Sequence, residues 1–315
     1  MWNVVNSTPF SVGGRYQRDR KGRGIWIVVV RATYDVRDGQ AFLAKEQVPV
    51  VSMPKFVDDD TNGPLEAETD FVLEKAGTDI LIDGFVCAPQ GKAVRDTHAA
   101  IAVANITKAV RVTGPRVWKK GAIGGLVAGD QQSFERVPIS YRLSLGGREN
   151  LAAPVPKLGE PAPQFEATDH PLANGEKGAV PVGFGPIASH WPQRTKFAGT
   201  YDEAWERSQK PLFPVDLSAR FFNSAPLDQQ VEGFLRGGEV VRTDGFAPRG
   251  RWEVRLPKER PIVRTFLNNA TIEDHPILLH TVVVDPSASL LKIAWHAPLQ
   301  CYKKDDLITE TWVIT

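Results

Sequence analysis

The side chains able to do chemistry are scattered along this chain. Its six histidines fall singly, and two stand beside carboxylates, in Asp169-His170-Pro171 and Glu273-Asp274-His275-Pro276. Adjacent residues on an extended backbone point to opposite faces, so neither pair makes a good chelate, and the proline that follows suits a turn. His190, ahead of Trp191 in a Gly/Pro-rich stretch, is the best single candidate for a functional imidazole, against the plainer reading of a hydrogen-bonded loop residue. Asp58-Asp59-Asp60 has the oxygen ligands a hard cation takes, but consecutive acids in a polar loop are ordinarily solvated. Gly121-Ala122-Ile123-Gly124-Gly125 follows two lysines, as a phosphate cradle would, yet lacks the helix that must come after one, and reads as an inter-strand loop. No G-x-S-x-G, H-E-x-x-H or G-x-x-x-x-G-K-[ST] motif occurs. No catalytic residue, metal site or cofactor is expected.

Composition narrows the partners. Lysine and arginine number 38 against 37 acids, which removes the electrostatic case for nucleic acid or an anionic membrane surface. No apolar stretch approaches the roughly 18 residues of a membrane span. Met1-Trp2-Asn3-Val4-Val5-Asn6 has neither the basic nor the apolar region of a secretory leader. The two cysteines, Cys87 and Cys301, fit free thiols in a reducing compartment. A cytoplasmic location is expected.

The elements that must position these residues read mainly as strands. Alternation of apolar and polar residues is clearest over 137–145, and recurs in Trp252, Val254 and Leu256, in Val110 and Val112, and in Leu291, Ile293 and Trp295. Segments 25–34, 80–87, 278–284 and 307–314 are rich in β-branched residues and read as more fully buried strands. One helix of about three turns is expected over 200–210, with Thr200 and Glu203 as a capping box, Tyr201 and Trp205 on one face and Pro211 as its stop. Residues 49–68 and 150–177, rich in Pro, Gly, Ala and charge, resist a regular reading. The expected class is all-β, an antiparallel sandwich or packed sheets, with one short helix and long irregular loops. The chain reads as one β-rich domain over 1–315, divisible into an N-terminal lobe (1–148), a loop-rich motif region (149–239) and C-terminal strands (240–315).

Residues 181–239 are the most distinctive. They hold Pro181-Val182-Gly183-Phe184-Gly185-Pro186-Ile187, His190-Trp191-Pro192-Gln193-Arg194, Ala198-Gly199-Thr200-Tyr201-Asp202-Glu203-Ala204-Trp205, Arg220-Phe221-Phe222-Asn223, Ala225-Pro226-Leu227-Asp228-Gln229-Gln230 and Gly233-Phe234-Leu235-Arg236-Gly237-Gly238-Glu239. Together with Asn6-Ser7-Thr8-Pro9-Phe10, Val29-Val30-Arg31-Ala32-Thr33-Tyr34-Asp35, Glu68-Thr69-Asp70-Phe71, Lys75-Ala76-Gly77-Thr78-Asp79-Ile80, Arg111-Val112-Thr113-Gly114-Pro115 and Leu291-Lys292-Ile293-Ala294-Trp295, this series resembles the bacterial family catalogued as domain of unknown function 2169. The chain departs from that pattern at His280 and His296, where the family often carries an acid and an arginine, and at Phe213 and Leu217, where leucine and an aromatic are expected.

The resemblance implies a non-catalytic adaptor or chaperone of type VI secretion, binding the PAAR-like N-terminal region of an effector and helping to load it onto the VgrG spike. Trp191, Arg194, Tyr201, Trp205 and Arg220 are candidate anchors for a partner, being of types favoured in interface hot spots. Asp202, Asp228, Gln229 and Gln230 are candidate polar contacts. Each also has a structural reading: Tyr201 and Trp205 seating the helix, Arg194 and Arg220 pairing with Asp202 or Asp228, Gln229 and Gln230 bonding loop backbone. The competing functions are a β-sandwich hydrolase acting on glycans, with Asp202, Glu203 and Asp228 as its acids, and a structural part of the secretion apparatus.

Overall fold

The computed structural model describes residues 2–122, 124–147, 157–169, 181–301 and 307–315. Among these residues the fold is all-β with packed sheets, as expected: three larger sheets and three two-stranded ribbons. The central sheet has the order Ser11–Arg18, Gly24–Arg37, Leu290–Gln300, Leu278–Asp285, Asp79–Ile82, and Gln40–Leu43 pairs with the far end of Gly24–Arg37. A second sheet runs Phe165–Ala167, Ile106–Thr113, Asp96–Val103, Val240–Ala247, Gly250–Arg255, and a third runs Asn3–Asn6, Ile308–Ile314, Ile262–Leu267, Ile272–Asp274. Strand pairs are antiparallel except Asn3–Asn6 on Ile308–Ile314 and Asp79–Ile82 on Leu278–Asp285.

The long strand Gly24–Arg37 organises the core because both of its faces are apolar and both are covered. Its even residues Trp26, Val28, Val30 and Ala32 join Ile293 and Trp295 of the next strand, Ile101, Val110 and Val241 of the second sheet and Val263 and Val313 of the third in the largest apolar cluster. Its odd residues Ile25, Ile27 and Val29 meet Phe71, Val72, Leu73, Leu217 and Phe222 on the opposite side. Burying each such aliphatic contributes about 1.5–3 kcal/mol. Cys87 and Cys301 are both buried and form no disulfide. Among the described residues no helix is long and apolar enough to cross a membrane.

Several local expectations give way to side-chain bonding. The alternation over 137–145 is a strand only in Arg136–Pro138; Ser140 then accepts from the Arg142 N–H, and Tyr141–Leu143 becomes a 3-10 turn. The helix is Glu203–Ser208, six residues instead of three turns. Its cap is Asp202, which accepts from Trp205 N–H at 2.8 Å, because Thr200 is engaged through both its N–H and its hydroxyl by Asp216. A second helical turn, Pro192–Thr195, was not anticipated. The strand Ile308–Ile314 is covered on one side only and exposes part of Trp312. Of the irregular regions, 49–68 carries one small ribbon, Lys55–Phe56 with Leu65–Ala67, and 150–177 is described only over 157–169, which holds the edge strand Phe165–Ala167.

Candidate functional site

The odd-numbered face of Gly24–Arg37 changes character along its length. Beyond Val29 it presents Arg31 and Thr33, and the strands beside it add Lys292, Thr281 and Asp79 on the same side, as their register requires. Asp79 is wholly buried, and Arg31 and Lys75 are each 8% exposed. Charges taken this far from water are tolerated only when paired and hydrogen-bonded. Arg31 Nη1 donates to both Asp70 oxygens, at 3.0 and 2.7 Å, and Asp70 also accepts from the Val51 N–H. Lys75 Nζ donates to Asp79 at 2.7 Å and to Thr281 Oγ1 at 2.8 Å. Asp79 further accepts from Asn223 Nδ2 and from the Ser224 N–H, at 2.9 and 2.8 Å. Lys292 pairs with Asp83; burial works against that carboxylate's ionisation, but the ammonium beside it prevails and holds it below its ordinary value. Arg31, Asp70, Lys75, Asp83, Thr281 and Lys292 line a cleft of about 210 Å³ beside residues 48–70, with Asp79 behind them.

A second node joins the two large sheets. Lys108 points inward by the same parity that buries Val110 and Val112. Its ammonium donates to Gly183 O (2.6 Å), Gln229 Oε1 (2.8 Å) and Asp228 Oδ1 (2.9 Å), which uses all three of its donors. Gln229, fully buried, donates in turn to the carbonyls of Ile80 and Phe184 at 2.7 and 3.0 Å. Burial lowers the Lys108 pKa, and Asp228 opposes the shift.

The nine candidates from the sequence are therefore not one surface. Trp191 is buried against Tyr141, edge to face with centroids 5.6 Å apart, and its indole N–H has no partner among the described residues. Arg194 is buried as well; it pairs with Glu68 at 2.5 Å and donates to the carbonyls of Ile187 and Phe221, in place of the expected Asp202 or Asp228. Asp202 caps its helix and Asp228 serves Lys108. Gln230 bonds the Ala225 carbonyl. Tyr201 is about half exposed and rests edge-on against Trp205, whose indole donates to the Leu212 carbonyl, so this pair closes the local loop and does not seat the helix on a sheet. Arg220 is exposed and has no ion-pair partner among the described residues. Glu203 pairs with Arg207 on the helix surface.

The earlier chemical candidates are likewise engaged locally. His190 stacks on Phe56, and partial burial lowers its pKa. Asp58 pairs with Arg142. Gly121 to Gly125 bridge the ribbon Trp118–Lys120 and Leu126–Ala128, the expected inter-strand loop, with Ile123 outside the described residues. His170 is also outside them. Among the described residues no group of three His, Cys, Asp or Glu gathers to hold a metal.

The polar clusters pair stretches far apart in sequence: Arg31 with Asp70, Lys75 with Thr281, Asp79 with Asn223, Glu68 with Arg194. A family model described as an uncharacterized protein conserved in bacteria (DUF2169) matches residues 21–296. The chain belongs to that family. Comparison with curated proteins and with solved structures found no match. The two sites at which this DUF2169 chain departs from the resemblance's expected acid and arginine lie face to face. His280 and His296 stack with ring centroids 4.1 Å apart, and Phe234 stacks on the outer side of His280. His296 Nε2 bonds the Val72 carbonyl, whereas neither nitrogen of His280 has a partner among the described residues. Burial drives the His296 pKa down to about 4 and that of His280 well below its ordinary value. Phe213 and Leu217 are also neighbours, packed in the cluster around Ile27 and Phe222.

Proposed function

We propose that this chain is a non-catalytic adaptor or chaperone that binds the PAAR-like N-terminal region of a bacterial type VI secretion effector, keeps that region folded and assists its loading onto the VgrG spike. The motif resemblance is the source of the reading. The observation that carries it further is the internal pairing of the buried charges: Arg31, Lys75 and Asp79 at and behind the cleft, and Lys108 at the second node, all face partners within the chain. A general base or nucleophile must reach a substrate proton or carbonyl, and these groups reach the frame instead. Their effect is to tie the irregular stretches 48–75 and 181–235 to the sheets. A frame held rigid in this way loses little conformational freedom when a partner docks, which favours binding.

Co-expression with a type VI effector that carries a PAAR-like N-terminal region, sought in the neighbouring reading frames, followed by affinity purification and light scattering, tests the proposal. A stable complex and improved effector solubility are expected. Two folded proteins that elute separately would overturn it.

A further inference from the structure

The backbone of one edge strand has a free side. Along Gly24–Arg37, the Val36 N–H donates to Ser289 O and the Gly24 carbonyl accepts from the Cys301 N–H, both on the flank of Leu290–Gln300. Thr33 bonds on the other flank, its N–H to Gln47 and its carbonyl to the Ala44 N–H. Odd residues of this strand therefore face Ser11–Arg18. In the observed register Arg31 lies opposite Ser11, Val29 opposite Gly13 and Ile27 opposite Arg15. The N–H and C=O groups of Val12, Gly14, Tyr16 and Arg18 consequently point away from the sheet. For Val12, Gly14 and Arg18 no backbone partner exists among the described residues.

The other edges are shorter or engaged. Gly250–Arg255 has Arg255 N–H bonded to Gly39 O, and Asp79–Ile82 is bridged by Gln230 with Gly233 closing the residue before it. Asn3–Asn6, Ile272–Asp274 and Phe165–Ala167 have four, three and three residues against eight in Ser11–Arg18. That strand is also held straight from both faces: a Cβ on Gly13 would meet the Phe71 ring at 2.8 Å, and one on Gly14 the Trp26 ring at 2.4 Å.

Charge then selects the occupant. The strand and the turn after it carry Arg15, Arg18, Arg20, Lys21 and Arg23 against the single acid Asp19. Arg23 pairs with Asp19 and Arg20 with Glu74. Arg18 and Lys21 are exposed and have no ion-pair partner among the described residues.

We propose that an extended acidic segment of a partner protein adds to the outer edge of Ser11–Arg18 as a further strand of the central sheet. Main-chain hydrogen bonds to Val12, Gly14 and Arg18 supply affinity, and Arg18 with Lys21 supplies the preference for acids. The proposal rests on the adaptor reading in taking the partner to be a protein, but its test needs no effector. Fluorescence anisotropy measures binding of a labelled peptide of alternating Thr and Glu, with one of alternating Thr and Lys as control. The acidic peptide should bind and the basic one should not. Val12→Pro removes an outward N–H, at an edge position that tolerates proline, and trims a half-buried side chain packed on the core; it should weaken binding about fivefold. Arg18→Glu with Lys21→Glu should invert the preference. Absence of acidic-peptide binding overturns the proposal, as does binding that the charge reversal leaves unchanged; should Val12→Pro fail to fold, the reversal, confined to exposed side chains, decides alone. Failure here with successful effector co-purification would remove the edge and leave the adaptor reading standing.

Discussion

Asp79 concentrates more of the fold than any residue the sequence singles out for chemistry. Its carboxylate receives Lys75, Asn223 and the Ser224 N–H in a site without water access. Asp79→Ala leaves an ammonium and an amide buried without their partner, and should cost about 3–5 kcal/mol in urea unfolding. Lys75→Met combined with Asp79→Leu removes both charges and should recover part of that loss. The histidine pair makes a prediction about pH. His296 titrates near 4 in the folded chain against about 6.5 unfolded, so the unfolded state takes up the proton first. The pair's contribution is whole above pH 6.5 and is lost as pH falls from 6.5 toward 4, by about 3 kcal/mol for His296 alone. Unfolding free energies at pH 7.5 and 5 should show the decline. His280→Phe keeps the stack on Phe234 and gives up no hydrogen bond, so it should flatten the decline at little cost in stability near neutrality.

Among the elements, alternation predicts strands wherever the side chains have no other use for the backbone. Val110, Val112, Val254 and Ile293 all point inward as their spacing requires. The pattern misleads at Ser140, whose hydroxyl turns the chain before the apolar run ends, and the capping box misleads at Thr200, which Asp216 claims. The first bond is local, made two residues on, and competes with the apolar pattern; the second reaches a residue 16 positions away that the local sequence does not name. Lys108 is the instructive miss: its parity with Val110 marks it as inward, and a lysine at an inward position calls for buried acceptors, a signal present in the sequence and unused. The cap is testable at this scale. Asp202→Ala should speed amide hydrogen exchange over Glu203–Ser208, with a local loss of about 1 kcal/mol, and leave exchange in Gly24–Arg37 unchanged.

For the whole molecule, the motif-dense loops and the proposed docking edge of Ser11–Arg18 are largely separate. Residues 181–239 stand out in sequence because their prolines, glycines and aromatics fix irregular backbone, and the structure seats Trp191, Arg194 and Gln229 inside it. Which charges they meet was not legible, because each partner lies remote in sequence: Glu68 is 126 residues from Arg194, and Lys108 is 121 from Gln229. The edge of Ser11–Arg18 was illegible for a different reason, since an open flank depends on which strands pair. This separation predicts two classes of variant. Trp191→Ala and Arg194→Ala should lower the melting temperature on the order of 5 °C through a lost aromatic contact and an unpaired buried Glu68, and should reduce effector recovery only in step with that loss. Arg18→Glu with Lys21→Glu should leave the melting temperature within about 1 °C, because exposed charges contribute little to folding, and should still abolish recovery. Melting curves and co-purification on the same preparations give the comparison. If Arg194→Ala eliminates the complex while its melting temperature stays unchanged, the buried loops contact the partner directly and the separation of frame from surface is wrong.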